Sequence, residues 1–206
     1  MLPRAVACAP RLTLDVGCGE GRFCRMLGSH GLDAIGIDPT SRLIATARRR
    51  HWRGHYVRAR AEQVPFASAA FDLVVSYLSL IDIPDLPSAI GEMARVLRPG
   101  GTLLIANLTS FNTAGAEHGW VKSALGRRLH YPVDDYLDER AVWTAWGGIR
   151  ILNHHRPMRT YLQLLLDAGL RLTYFDEPAP TPEASPSRAA SYRRAPYFLV
   201  MEWAKS

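Results

Sequence analysis

The stretch Leu12-Thr13-Leu14-Asp15-Val16-Gly17-Cys18-Gly19-Glu20-Gly21 decides the fold of this chain: a short apolar run ends in three glycines at alternate positions. Glycine tolerates positive φ and has no side chain, so this backbone can turn sharply and approach a bound molecule closely. The run before the glycines reads as a buried parallel strand. After them Phe23, Met26 and Leu27 fall at helical spacing, and Gly28-Ser29-His30-Gly31 ends the pattern. A strand-to-helix turn of a βαβ unit is where nucleotide-like ligands bind in open α/β sheets. The dinucleotide fingerprint G-x-G-x-x-G requires glycine at position 22, which is Arg22, so a pyrophosphate is not the favoured guest. Ala34-Ile35-Gly36-Ile37-Asp38 then gives a second strand ending in a carboxylate, about twenty residues past the loop, where an acidic side chain accepts both ribose hydroxyls. Asp38 is the expected anchor of affinity.

With these pieces placed, LDVGCGEGRF followed by GIDPT resembles the class I S-adenosylmethionine-dependent methyltransferases. The likeness continues through Arg60 to Phe66, Phe71 to Ser76, and Ala94 to Ile105, all in the correct order over roughly residues 11 to 108. It implies a doubly wound, Rossmann-like α/β fold with a seven-stranded, mostly parallel sheet whose last strand is antiparallel, and S-adenosylmethionine as cofactor. By the same resemblance Asp15 and the loop Gly17, Cys18, Gly19 and Gly21 hold the cofactor's amino-acid end and Asp38 its ribose. Ala61 and Glu62 lie near the adenine, and Ser76 beside the methyl donor. Many relatives carry aspartate where Arg60 stands, which leaves the adenine amine to backbone groups and Glu62.

The rest of the chain continues the alternation of strand and helix that makes a parallel sheet. Leu43, Ile44 and Ala47 mark a helix from Ser41 to Arg50, and His55 to Arg58 reads as the third strand. Phe71 to Tyr77 is the fourth, and Ile90, Met93, Ala94 and Leu97 mark the next helix, ended by Pro99-Gly100-Gly101 before a fifth strand, Thr102 to Leu108. Residues 109–153, rich in Trp, Tyr and charge, are too long for a connector and are expected to be a partly helical insertion covering an acceptor pocket. Pro157 to Leu166 reads as a helix and Leu170 to Phe175 as the sixth strand. The proline-rich run 177–194 reads as a flexible loop before a last strand, Pro196 to Trp203.

A length of 206 residues is enough for one domain with a full core. Neither a membrane-length apolar run nor the long apolar region of a signal peptide is present, which points to a cytoplasmic protein. Three cysteines, Cys8, Cys18 and Cys24, form no C-x-x-C pair, so neither a structural disulfide nor a zinc site is expected. The net charge of +6 invites a nucleic-acid reading centred on Arg48-Arg49-Arg50-His51-Trp52-Arg53. That cluster closes a predicted helix, where cations complement the macrodipole.

Methyl transfer from a sulfonium chiefly needs the partners held in contact, and a base helps when the acceptor must lose a proton. His154 and His155 precede the helix that begins at Pro157, and a His-Arg pair at this place is familiar among relatives, which makes His155 the candidate base. Arg156, Asp82, Tyr77, Trp120, Tyr136, Trp143 and Trp146 are the candidate acceptor contacts, and Asp82 is also the second candidate base. The favoured activity is methylation of a small molecule at O, N or C. The alternatives are an RNA methyltransferase, which lacks an N-P-P-Y-like tetrad because Ser76-Tyr77-Leu78-Ser79 stands there, and a non-catalytic cofactor-binding module. Relatives carry one or two helices before the first strand. Here that strand begins near Arg11, which leaves a misplaced start, a shortened form, or a lid supplied wholly by 109–153 as the alternatives.

Overall fold

Four consecutive buried residues, Thr13–Val16, form β1, a strand covered on both faces, as a central parallel strand must be. The computed structural model describes residues 1–115, 119–146 and 148–206, with Trp146 and Ile149 described through their backbone alone. Around β1 the order is α1 (Leu2–Ala7), β1, α2 (Arg22–Gly28), β2 (Ala34–Asp38), α3 (Ser41–Arg50), β3 (His55–Arg58) and β4 (Phe71–Tyr77). A 3-10 turn (Leu80–Asp82) leads to α4 (Leu86–Val96) and β5 (Leu97–Leu108). There follow α5 (Ser110–Ala114), β6 (Val121–Lys122), β7 (Arg128–His130), β8 (Arg140–Trp146), β9 (Ile149–His155), α6 (Met158–Asp167), β10 (Leu170–Asp176), α7 (Pro186–Arg194) and β11 (Phe198–Lys205).

The seven-stranded sheet has the order β10-β11-β5-β4-β1-β2-β3. β1 pairs in parallel with both β2 and β4, while β11 runs antiparallel to β5 and β10. Strand order reverses between β1 and β4, so the crevice above their carboxyl ends is the topological switch point. One face of the sheet packs on α4 and α6 through Ile90, Met93, Tyr161, Leu165 and Trp203, and the other on α1 and α2 through Ala5, Phe23 and Leu27. Each such large apolar side chain contributes about 1.5–3 kcal/mol on burial.

Four segments differ from the sequence reading. A short helix, α1, precedes β1: Ala5 is buried beneath it, and Arg4 pairs with Glu202 and lies over the Tyr174 ring. β5 starts at Leu97 rather than Thr102, because Pro99-Gly100-Gly101 is absorbed into an irregular opening of the strand, with the register shift between Phe71 and Leu73 of β4. The run 177–194 is not wholly loop, since α7 carries Pro186 at its first position, where a missing amide costs nothing. Among its described residues the insertion 109–153 carries two hairpins, β6–β7 and β8–β9, and one short helix, α5. Arg48 and Arg50, in the last turn of α3, are tied to the Tyr56 carbonyl and to the Glu20 carboxylate.

Candidate active site

The glycine loop is held open by its own protein. Gly17, Gly19 and Gly21 all have positive φ (76°, 55° and 77°). The amides of Gly17 and Cys18 both donate to the Ile37 carbonyl, at 2.8 and 2.9 Å, and that of Gly21 donates to the Cys18 carbonyl at 2.9 Å. These donors face inward, so the loop is no phosphate nest, in keeping with the absence of a dinucleotide fingerprint. A β-carbon at Gly17 would overlap Ser79 and one at Gly21 the Tyr56 ring, whereas one at Gly19 would meet nothing. The open side of the loop is therefore at Gly19. The Cys18 thiol points the other way, packed under Gly36 near Tyr56, which removes it from any nucleophilic role.

Two carboxylates frame this opening. Asp38, at the carboxyl end of β2, accepts from the Gly19 amide on one oxygen (3.0 Å) and from the Thr40 amide on the other (2.8 Å). It thereby fixes both the loop and the start of α3, and each oxygen retains a lone pair. Asp15 is only 1% exposed. Its Oδ2 accepts a weak bond from the Cys24 thiol at 3.3 Å, and its Oδ1 has no partner among the described residues. Burial drives its pKa up to about 7, and the charge of Asp38 adds to that rise.

The rim after β4 supplies a residue the sequence did not single out. Ser79 donates to the Val16 carbonyl at 2.7 Å, accepts from Ser76 at 2.7 Å, and lies against Gly17. Ser76 itself is fully buried beneath it, so Ser79 is the serine that borders the loop. Three residues on, Asp82 accepts from Asn153 Nδ2 of β9 at 2.6 Å. Its pKa is pushed up to about 6, first by desolvation and further by the charge of Asp38. Near the expected adenine position Ala61 is buried, and Glu62 is oriented by Arg60 at 3.2 Å.

Several expected acceptor contacts have their polar atoms and rings engaged within the protein, where they hold the 109–153 insertion in place. His155 is 1% exposed, with Nδ1 2.7 Å from Thr113 Oγ1 and Nε2 3.0 Å from the Tyr136 carbonyl. Nε2 must donate to that carbonyl, so Nδ1 accepts from the threonine and neither nitrogen is left for a substrate proton. The expectation of His155 as base gives way to a pin between β9, α5 and the segment before β8. Burial lowers its pKa, which keeps this arrangement neutral. Arg156 is 5% exposed and donates to the carbonyls of Leu80 (3.3 Å), Ile83 (2.7 Å) and Pro84 (3.0 Å), clamping the rim from behind rather than binding an acceptor.

Tyr136 stacks on Phe111 and accepts from the Met158 amide, Trp120 packs edge-on to Tyr131 beneath Arg194, and Tyr77 stacks on Phe23. Trp143 is 58% exposed, with Arg150 over its ring. The Trp146 side chain lies outside the described residues. An open cleft of about 540 Å³ lies behind the rim, lined by Pro84, Leu86, Arg156, Arg159, Gln163 and Leu164, and contains none of the glycine-loop residues.

The residues above β1 and β2 fit an adenosyl sulfonium. Asp38 keeps a lone pair on each oxygen for ribose hydroxyls, Asp15 Oδ1, which has no partner among the described residues, suits a cationic ammonium, and the space where a Gly19 β-carbon would stand is open. A family described as "Methyltransferase domain" matches residues 14–105. A malonyl-[acyl-carrier protein] O-methyltransferase of Enterobacter lignolyticus is 34% identical over 66% of this chain and 53% of its own length. The protein of that name from Salmonella typhimurium is 31% identical over 80% of this chain and 66% of its own. The chain thus spans about half to two thirds of these curated relatives. The crystal structure of an S-adenosylmethionine dependent methyltransferase from Mesorhizobium loti superposes with a TM-score of 0.81 at 30% identity, over 94% of this chain and 90% of that one.

Proposed function

This chain belongs to the class I S-adenosylmethionine-dependent methyltransferases, and from that premise we propose that it methylates a small organic acceptor held between the Ser79–Asp82 rim and the 109–153 lid. The cofactor supplies an already activated methyl group, so what the protein must add is placement. Holding two partners in contact can supply up to roughly 7–11 kcal/mol of the barrier. Asp38 and the glycine loop hold the donor at the carboxyl end of β1 and β2, and Asp15 accepts its amino-acid end. The rim, braced by Ser79 against Val16 and by Arg156 from behind, forms the floor on which the acceptor lies. The lid, pinned by His155 and Tyr136, excludes water from above.

The observation that carries this reading is the joining of Asp38 to the loop: one side chain holds the Gly19 amide and offers its remaining lone pairs to a ribose. Calorimetry with S-adenosylmethionine tests it. Wild-type protein binds one equivalent, and Asp38→Ala lowers affinity at least tenfold, since charge-assisted bonds to two hydroxyls are lost. Unchanged affinity in that variant refutes the ribose assignment. Transfer of radiolabelled methyl from the cofactor into a metabolite extract then tests whether the acceptor is a small molecule.

A further inference from the structure

Asp82 is a half-buried carboxylate in a place that demands an explanation. It sits in the 3-10 turn Leu80–Asp82, three residues beyond the serine that touches Gly17, on the rim where the acceptor must lie in the reading above. One of its oxygens is fixed by Asn153 Nδ2 at 2.6 Å, and among the described residues no cation and no second donor reaches the other. Asn153 comes from β9, an element of the lid, so the lid itself aims this carboxylate. The charged group acting on Asp82 is Asp38, across the crevice on β2. Arg156 spends its guanidinium on the carbonyls of Leu80, Ile83 and Pro84. His155, on the same strand as Asn153, is sealed between Thr113 and Tyr136.

We propose that Asp82 accepts the proton of the methyl acceptor through its free Oδ2, and that the acceptor is accordingly a hydroxyl, an amine or an acidified carbon rather than a carboxylate. This rests on the methyltransferase reading and adds the class of acceptor to it. In the step the acceptor–carbon bond forms as the carbon–sulfur bond breaks. The sulfur keeps the bonding pair and becomes a neutral thioether, and the acceptor's proton passes to Asp82. A carboxylate acceptor would arrive with no proton to give, and would lie between the like charges of Asp82 and Asp38. Desolvation raises the pKa of Asp82 to about 6, which leaves it ionised at neutral pH yet a stronger base than an exposed aspartate. Asn153 is a positioning residue, and its hydrogen bond counteracts that rise.

Three measurements test the proposal. In crystals soaked with S-adenosylhomocysteine the thioether sulfur should lie within about 8 Å of Asp82 Oδ2, the span of one methyl group, one near-attack contact and one hydrogen bond from acceptor to carboxylate. A sulfur bound at the glycine loop but far from Asp82 overturns the proposal while sparing the methyltransferase reading, whereas failure to bind overturns both. Carboxyl-labelled aspartate spectra of the unliganded protein should show, besides Asp15 titrating near pH 7, a second group titrating near pH 6 that vanishes in Asp82→Asn and moves upward in Asn153→Ala. If Asp82 titrates like an exposed aspartate in these spectra, the proposal fails. Finally, Asp82→Asn should bind S-adenosylmethionine as the wild type does but label a metabolite extract at least about 100-fold more slowly. If instead the labelled product releases volatile methanol in mild alkali, as a methyl ester does, the acceptor is a carboxylate and the proposal is wrong.

Discussion

Replacing Asp15 with asparagine should make the protein more stable and a poorer cofactor binder. The carboxyl is buried, and among the described residues one oxygen has no partner and the other faces a thiol, so its pKa rises from 3.8 in the unfolded chain to about 7 in the fold. Between those values the folded protein holds a proton that the unfolded chain has released. Stability therefore falls as pH rises through that window, and the loss is complete above about pH 7. At about 1.36 kcal/mol per unit, the ionised side chain costs the fold up to about 4 kcal/mol at pH 8. Asparagine cannot ionise, but it brings an amide into the same poorly partnered site, which returns about 1–3 kcal/mol of the gain. A net gain of about 1–3 kcal/mol, at roughly 2–4 °C per kcal/mol in a protein of this size, puts the melting temperature about 2–12 °C above wild type at pH 8. The difference should shrink toward pH 5, where the wild-type carboxyl is protonated. Melting curves of both proteins from pH 5 to 8, with cofactor calorimetry alongside, test this. A variant that melts below wild type at pH 8, or that keeps the wild-type pH slope, refutes the reasoning. So does one that binds cofactor undiminished.

The glycines of the loop should separate by role. Gly17→Ala combines left-handed strain of about 1–2 kcal/mol with overlap on Ser79, so melting should drop by several degrees. Gly19→Ala carries only the strain and should melt nearer to wild type, yet its methyl projects into the open side of the loop and should weaken cofactor binding in calorimetry. Arg156→Ala removes three charge-assisted bonds to rim carbonyls and should cost about 3 kcal/mol or more in urea unfolding, with partial recovery in Arg156→Lys. Trp143→Ala, at an exposed position, should leave stability within about 0.5 kcal/mol of wild type.

The parts legible in the sequence are those whose physics is local. β1 and β4 announce themselves as apolar runs because a central parallel strand is buried on both faces, and the glycine triplet and Asp38 are legible because a tight turn and a strand-end carboxylate have fixed spacing. Ser79 was not legible: its importance lies in contacts with Val16 and Gly17, more than sixty residues earlier. The pair His155 and Arg156 looks like chemistry in sequence but serves as structure. Their partners Thr113, Tyr136, Leu80, Ile83 and Pro84 come from elements that periodicity does not bring together. The arginine-rich α7 and the half-exposed hairpin β8–β9 carry weak patterns, because neither buries a continuous face. The proline at the start of α7 reads as a breaker until its place in the first turn is seen.

A crystal structure with S-adenosylhomocysteine would show whether an adenosyl group sits above β1 and β2 with its ribose on Asp38. Both ribose hydroxyls should lie about 2.5–3.0 Å from the Asp38 oxygens, with the amino-acid end beside Asp15. A ligand seated elsewhere, or a crevice that stays vacant at millimolar concentration, would contradict the account.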